Sequence, residues 1–419
     1  MEKASSVLAA LFGSREPAEA AATVTSIFVY PIKSCRGISV PQACVTSTGL
    51  DLERLQWDRQ WLVVNSKGRA YTQRVEPKLA LVDIELPMDA FKDNWEPTDL
   101  SYMVIKAPDM EALRIPLNKK CAAVDDISVW EWSGSALNEG NEAFEWFTKY
   151  LGKPSRLVRF NTELEIRAVD PNYAQGYKTL FTDGFPFLLA SQGSLDGLNE
   201  LLDEPLPINR FRPNILVDGC DPFSEDLWKE LKINKLNFHG VKLCARCKVM
   251  CLFVDDTGWP WSVLSACKEM SGREVKGCCC REPLRLLAWA MEMASNAAAD
   301  HGCRQPVSLV LRILPLLGTV PCQCTAPASA SAAACAPLSC FIPTINQENG
   351  VTGNEPTSTL MKFRSDHALK LKKTQGKMFF GQNLVCKESL LPPRGSKTIA
   401  VGDPVFVLQK YSSNVDAPI

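Results

Sequence analysis

The sequence predicts an α+β fold, mainly β, with an antiparallel, barrel-like architecture to which a few helices are added. Three observations carry that expectation. Residues 24–120 hold repeated short runs of β-branched, aromatic and aliphatic residues bounded by Pro, Gly, Asn and Asp. The apolar period then changes to a helical one at 141–152. Strand-like runs return within 211–246 and again within 381–410.

Each element has its own local reason. VTSIFVYPIKS (24–34) begins as a strand and breaks at Pro31. QWLVVNSKGRAYTQR (60–74) reads as a hairpin around Asn65-Ser66-Lys67-Gly68. LALVDIELP (79–87) alternates like a strand, and YMVIKAPDMEALRIPL (102–117) like a hairpin turning at Pro108-Asp109. NEAFEWFTKYLG puts Phe144, Phe147, Tyr150 and Leu151 on one helical stripe and stops at Gly152. SLDGLNELLD (194–203) reads as a helix with Ser194 as N-cap. FRPNILVDG (211–219) reads as a strand and turn, and FSEDLWKELKI (223–233) as a helical start. KLNFHGVKLCAR (235–246) reads as strand with a tight turn at His239-Gly240. GQNLVCKE (381–388) and VGDPVFVLQK (401–410) are the closing strands.

The chain has 419 residues, 46% apolar and 22% charged, enough for a sizeable core and for two or three domains. Its net charge of −1 points to neither nucleic acid nor an anionic membrane. The apolar stretches SSVLAALF (5–12) and VSLVLRILPLLGTV (307–320) are too short to span a bilayer, so no transmembrane segment is expected. No secretory signal is read, and a disulfide framework is not expected from the 17 cysteines. Ten of those cysteines fall between Cys251 and Cys340. There they accompany CCC at 278–280 and the low-complexity run APASASAAACAP, so 250–342 differs in composition from both flanks.

Five clusters carry possible chemistry. Cys244 and Cys247 form a C-x-x-C, open on local grounds to a zinc clip, a redox dithiol, another metal or an ordinary pair. Lys33 and Ser34, on a turn after a proline-broken strand, suit a phosphate or oxyanion. Arg59, between two tryptophans in QWDRQW, suits ring stacking or an anion. Arg210 and Arg212 in NRFRPN, ahead of Asn214, read as two guanidinium groups on one strand face. Asp183 heads the turn in FTDGFPF. Nucleotide-binding glycine motifs are absent, and three histidines make a histidine-based triad or metal site improbable. Together the clusters describe several cations, an isolated thiolate and no histidine. That set suits a phosphate-bearing cofactor whose soft metal accepts a cysteine sulfur.

YPIKSCRG, WDRQWLVVNSKG with TQR, FTDGFPFLLASQ, NRFRPNI and CARCK follow one another in an order that resembles the MOSC-domain proteins, specifically their amidoxime-reducing-component branch. VGDPVFVL is similar to that family's closing strand. The resemblance covers about 24–249 and 343–411. It implies a flexible tail (1–23), a β-rich MOSC N-terminal domain (24–150), and a MOSC β-barrel domain in two parts (151–249 and 343–411), with a short tail at 412–419. The block 250–342 is then an atypical insert, read as disordered and as a translated intron or other gene-model artefact. The resemblance also implies a molybdenum–molybdopterin (pyranopterin) cofactor between the domains. Cys247 would be its metal ligand and Cys244 a bystander. Lys33, Ser34, Arg59 and Arg212 would hold the pterin and its phosphate, with Asn214 and Arg246 near that shell. Asp183 would position a proton. Gly184-Phe185 stands where animal members have Thr-Ser, so a hydroxyl contact is missing there. The implied activity is reduction of amidoximes and hydroxylamines with electrons from cytochrome b5 and an NADH cytochrome b5 reductase. Monomer is the default expectation, and the compartment stays open between cytoplasm and an organelle such as the mitochondrion. The competing readings are a molybdopterin-binding or sulfur-carrier module without turnover, and an isoform inactivated by the insert.

Overall fold

The computed structural model describes residues 19–246 and 342–419, apart from 53–54, 88–89, 91–94, 373–375 and 392–396. Cys247 and all of the 250–342 block except Ile342 lie outside the described residues, as does most of the 1–23 tail.

The described chain is mainly β, with three α-helices. Strand β1 (Ala22–Val29) buries Ala22, Val24, Ile27 and Val29. A bulge between Val24 and Ser26 shifts the two-residue period by one, so Ile27 rather than Ser26 faces the core. Next come β2 (Ile38–Val40), β3 (Gln42–Val45), β4 (Leu50–Leu52), β5 (Leu55–Gln56) and β6 (Trp61–Val64). They are followed by β7 (Asp83–Glu85), β8 (Tyr102–Lys106), β9 (Leu113–Pro116), β10 (Ala122–Val129) and β11 (Trp132–Asn138). Helix α1 (Asn141–Leu151) packs on β9 and on β12 (Arg156–Phe160). It ends at Gly152, whose φ of 70° is the left-handed stop that glycine takes without a Cβ clash. Its buried stripe is Ala143, Trp146, Phe147 and Leu151, with Trp146 in the place expected for Phe144.

The later chain supplies β13 (Arg167–Ala168), β14 (Lys178–Thr179), β15 (Phe187–Ser191), helix α2 (Gln192–Asn199), β16 (Ile215–Asp218), β17 (Trp228–Ile233) and β18 (Leu236–Arg246). Helix α3 (Thr357–Phe363), β19 (Met378–Cys386), β20 (Thr398–Ala400) and β21 (Pro404–Lys410) complete it. Seven strands close a barrel in the order β16–β15–β19–β18–β17–β21–β1, with β1 pairing back to β16. Every neighbour is antiparallel except β15 and β16. That parallel pair needs a crossover, which α2 provides. Strand β2 extends the barrel sheet beside β1, and smaller sheets, β10–β11–β12–β6, β7–β8–β9, β20–β3–β4–β5 and the pair β13–β14, form the rest of the described strands. A large shared core, including Trp57, Trp61, Phe147, Phe187, Trp228 and Phe238, joins barrel and smaller sheets.

Four local expectations are corrected. Ser191, not Ser194, caps α2, accepting from the Ser194 amide. His239-Gly240 is not a turn: β18 runs through it, and the reversal falls at Asn234-Lys235. Residues 208–210 form a 3₁₀ turn and Arg212 is left-handed (φ 55°), so Arg210 and Arg212 do not share a strand face. The segment 79–87 opens as a 3₁₀ turn before the short β7.

Candidate functional site

One cavity of about 380 Å³ collects the residues singled out by sequence. Lys33, Ser34, Arg59, Asp183, Arg212, Asn214 and Arg246 all line it. Cys247 lies outside the described residues, one step beyond Arg246 at the end of β18. Arg210 does not line the cavity, and its guanidinium donates to the Pro343 carbonyl.

Backbone geometry builds the walls. Lys33 follows Ile32, which bridges Trp61, and the Lys33 amide donates to the Trp61 carbonyl. Ser34 (φ 72°), Arg59 (φ 53°), Trp130 (φ 54°) and Arg212 (φ 55°) all line the cavity in left-handed conformation. That conformation costs a residue with a Cβ roughly 1–2 kcal/mol, so the surrounding structure must hold it. For Arg59 the hold is visible. Its amide donates to the Tyr30 carbonyl, and its Nη1 to both oxygens of the buried Asp58 carboxylate, at 2.8 and 2.6 Å. Nη1 also reaches Asn214 Oδ1 at 3.0 Å. The Asn214 amide is spent entirely on protein: Nδ2 donates to Asp58 and the Phe28 carbonyl, and Oδ1 also accepts from the Leu188 amide. Asn214 therefore acts on the cavity by fixing Arg59.

Charge dominates the lining. Lys33, Arg59, Arg74, Arg212, Lys242 and Arg246 face Asp183 and Glu131. Arg246 spends its guanidinium on the Phe380 and Phe211 carbonyls. Lys33 Nζ contacts Asp183 Oδ1 at 2.6 Å, and the Trp130 indole N–H donates to the same oxygen. Burial lowers the Lys33 ammonium to about 8, against the opposing pull of Asp183. Desolvation also works to raise the exposed Asp183 carboxyl, but Lys33 and Arg74 hold it below the usual carboxylate range. The other three cations rest on rings. Arg74 lies 4.6 Å from the Trp130 ring, Arg212 4.4 Å from Tyr30 and Lys242 3.9 Å from Tyr173. Within the described residues none of these three side chains donates a hydrogen bond, and Arg74 Nε is buried without a partner.

Arg74, Trp130 and Lys242 were not singled out from sequence. Arg74 stood inside the TQR motif, but nothing in sequence marks Trp130 as its neighbour. Cys244 also lines the cavity, and burial raises its thiol. No cluster of three or more His, Cys, Asp or Glu suited to a metal occurs among the described residues.

Comparison with known proteins follows this geometry. The MOSC N-terminal beta barrel domain matches residues 21–154, and the MOSC domain matches residues 176–282. The mitochondrial amidoxime reducing component 2 of Bos taurus is 34% identical over 251 residues, covering 59% of this chain and 70% of that protein. The chain belongs to the amidoxime-reducing-component family of MOSC-domain proteins. Within that family, component 2 of Homo sapiens is 33% identical, covering 56% of this chain and 68% of its own, and human component 1 is 32% identical, covering 56% and 67%. A solution structure from Bordetella bronchiseptica, 29% identical and covering 25% of this chain and 73% of its own, has a TM-score of 0.20 and carries no structural argument. These amidoxime-reducing-component relatives are named as mitochondrial. Among the described residues of this family member, no helix is long and apolar enough to cross a membrane.

Proposed function

We propose that this MOSC protein is a molybdenum-cofactor-dependent reductase of N-hydroxylated compounds, amidoximes and hydroxylamines. The supporting observation is the cavity itself: three ring-held cations with unspent donors, in a chain related to proteins named for amidoxime reduction.

The donor set fits a phosphate-bearing pterin. The uncommitted Arg212 guanidinium supplies charged donors, while the Gly184 and Phe185 amides donate no hydrogen bond within the described residues. Backbone N–H groups at Gly184-Phe185 thus offer what the missing hydroxyl would have given. In this reading Lys33, Ser34, Arg59 and Arg212 hold the pterin and its phosphate, with Asn214 and Arg246 setting the walls, and Cys247 is the metal ligand. When bound, the cofactor supplies the two electrons that cleave the N–O bond.

The net reaction converts N–OH, two electrons and two protons to N–H and water. The protein's share is binding, orientation and proton supply. Asp183 stays ionised at neutral pH and orients Lys33. Lys33, lowered to about 8, is the member of the pair with a proton to move near neutrality. Cytochrome b5, reduced by an NADH cytochrome b5 reductase, is the proposed electron donor.

The test is NADH-linked reduction of benzamidoxime in a chain rebuilt from the purified protein, cytochrome b5 and its reductase. Turnover that disappears in Cys247→Ala is expected. Stoichiometric molybdenum without turnover would instead identify a cofactor carrier.

A further inference from the structure

We propose that Arg74 anchors a carboxylate on the substrate, so that the N-hydroxylated compounds handled best are those that also carry an acidic group. This rests on the reading of the cavity as a reductase site.

Six cationic side chains line the cavity, and their donors divide them. Lys33, Arg59 and Arg246 are spent on Asp183, on Asp58 with Asn214, and on main-chain carbonyls. Arg74, Arg212 and Lys242 are held by aromatic faces. Arg212 shares Tyr30 with Arg59, whose guanidinium lies 4.3 Å from the same ring, and belongs to the group assigned above to the cofactor. Lys242 stands on the β18–β19 wall with Cys244 and Asn383, on the strand that leads to Cys247. Arg74 belongs to neither group. It stacks on Trp130, which is 42% exposed and marks the mouth rather than the floor.

The chemistry of Arg74 is specific. Nε is buried and has no acceptor. A guanidinium presents its two Nη groups along its outer end, and that end binds a carboxylate through two parallel hydrogen bonds. Trp130 covers a face of the group and Nε is shut off from solvent, so the outer Nη end is the part of Arg74 left to meet a ligand in the cavity. Asp183 stands nearby, but its charge is already matched by Lys33 at 2.6 Å, so it does not bar an incoming anion. The Trp130 ring adds a flat apolar surface beside the anchor. A planar N-hydroxyamidine bearing a carboxylate matches both.

The experiment compares the loaded full-length protein with Arg74→Gln and Arg74→Lys on benzamidoxime and 4-carboxybenzamidoxime. Calorimetric binding of both compounds and molybdenum content are measured in parallel. For Arg74→Gln, the preference for the carboxylated compound, as a ratio of kcat/KM and of Kd, is expected to fall about 10-fold to 100-fold, the range for one charge-assisted contact. Arg74→Lys restores only part of it, because an ammonium lacks the planar edge. Equal losses on both compounds, or a fall in molybdenum content, would overturn the proposal and assign Arg74 to the cofactor. An unchanged ratio would make it a ring-held structural cation. If the parent protein turns over neither compound, the reductase reading fails, and calorimetry alone decides the anchor. Carboxylate-selective binding lost in Arg74→Gln upholds it, and absence of selectivity overturns it.

Discussion

At the scale of single residues, Lys33 carries the clearest consequence of pH. Burial lowers its ammonium to about 8, below the ordinary lysine value. The folded state therefore disfavours the protonated form. That cost is present below pH 8 and is relieved as pH rises from there toward the unfolded value, so this group makes the fold more stable with rising pH in that window. The cavity behaves in the opposite sense, because the same deprotonation removes a positive charge from its wall. Inorganic phosphate, titrated calorimetrically, is expected to bind about tenfold more weakly at pH 9 than at pH 7. Lys33→Arg should hold its affinity across that range, since a guanidinium stays charged; parallel decline in both proteins would place the titration elsewhere. Lys33, Ser34, Arg59 and Arg212 were legible in sequence because each sits in a short run of chemically telling neighbours. Arg74 and Trp130 were not, because their partnership exists only where the TQR segment meets the β10–β11 hairpin.

At the scale of elements, hairpins and the α1 stop were readable, since turn residues and helix caps act over a few positions. Two of the misreadings share one cause: a residue type with two physical uses. Gly240 looked like a turn glycine, yet it serves close packing inside β18. A Cβ there would come within 2.2 Å of the Trp228 carbonyl oxygen and 2.4 Å of Gln382 Nε2. The first contact is backbone and cannot swing away. Gly240→Ala is expected to destabilise the barrel by about 1–3 kcal/mol, read from denaturant unfolding; a change below about 0.5 kcal/mol, the scale of an ordinary surface substitution, would show that β17 and β18 can move apart. The two serines at the head of α2 show the same ambiguity. Ser194 has the composition of a cap, but its hydroxyl donates to the buried Glu225 while Ser191 does the capping. Arg212 escaped its strand assignment because nothing in NRFRPN announces a left-handed arginine.

At the scale of the whole molecule, the mainly β class, the barrel and the family were legible, and the order of the seven strands, with β15 and β16 parallel, was not, because pairing between strands far apart in sequence leaves no local mark. The ends of the segment outside the description, Arg246 and Ile342, both stand on the cavity wall. Arg246 reaches the Phe211 carbonyl, and the neighbouring Arg210 reaches that of Pro343. The MOSC match itself continues to residue 282, inside the compositionally odd block. Reading that block as an insert, we expect a chain without 250–342 to acquire molybdenum near one atom per chain from a host that makes the cofactor, by elemental mass spectrometry. Metal in the full-length chain alone would show that the block belongs to the fold. Timing follows from the closure of the barrel. Ala22 pairs with Val405, and Gln73 exchanges side-chain amide hydrogen bonds with Gln347 behind Ser34. At about 5–20 residues per second on the ribosome, the first strand waits tens of seconds for its last partner. The nascent chain therefore has no finished pocket to offer, and under the proposed function cofactor capture would wait for the released protein.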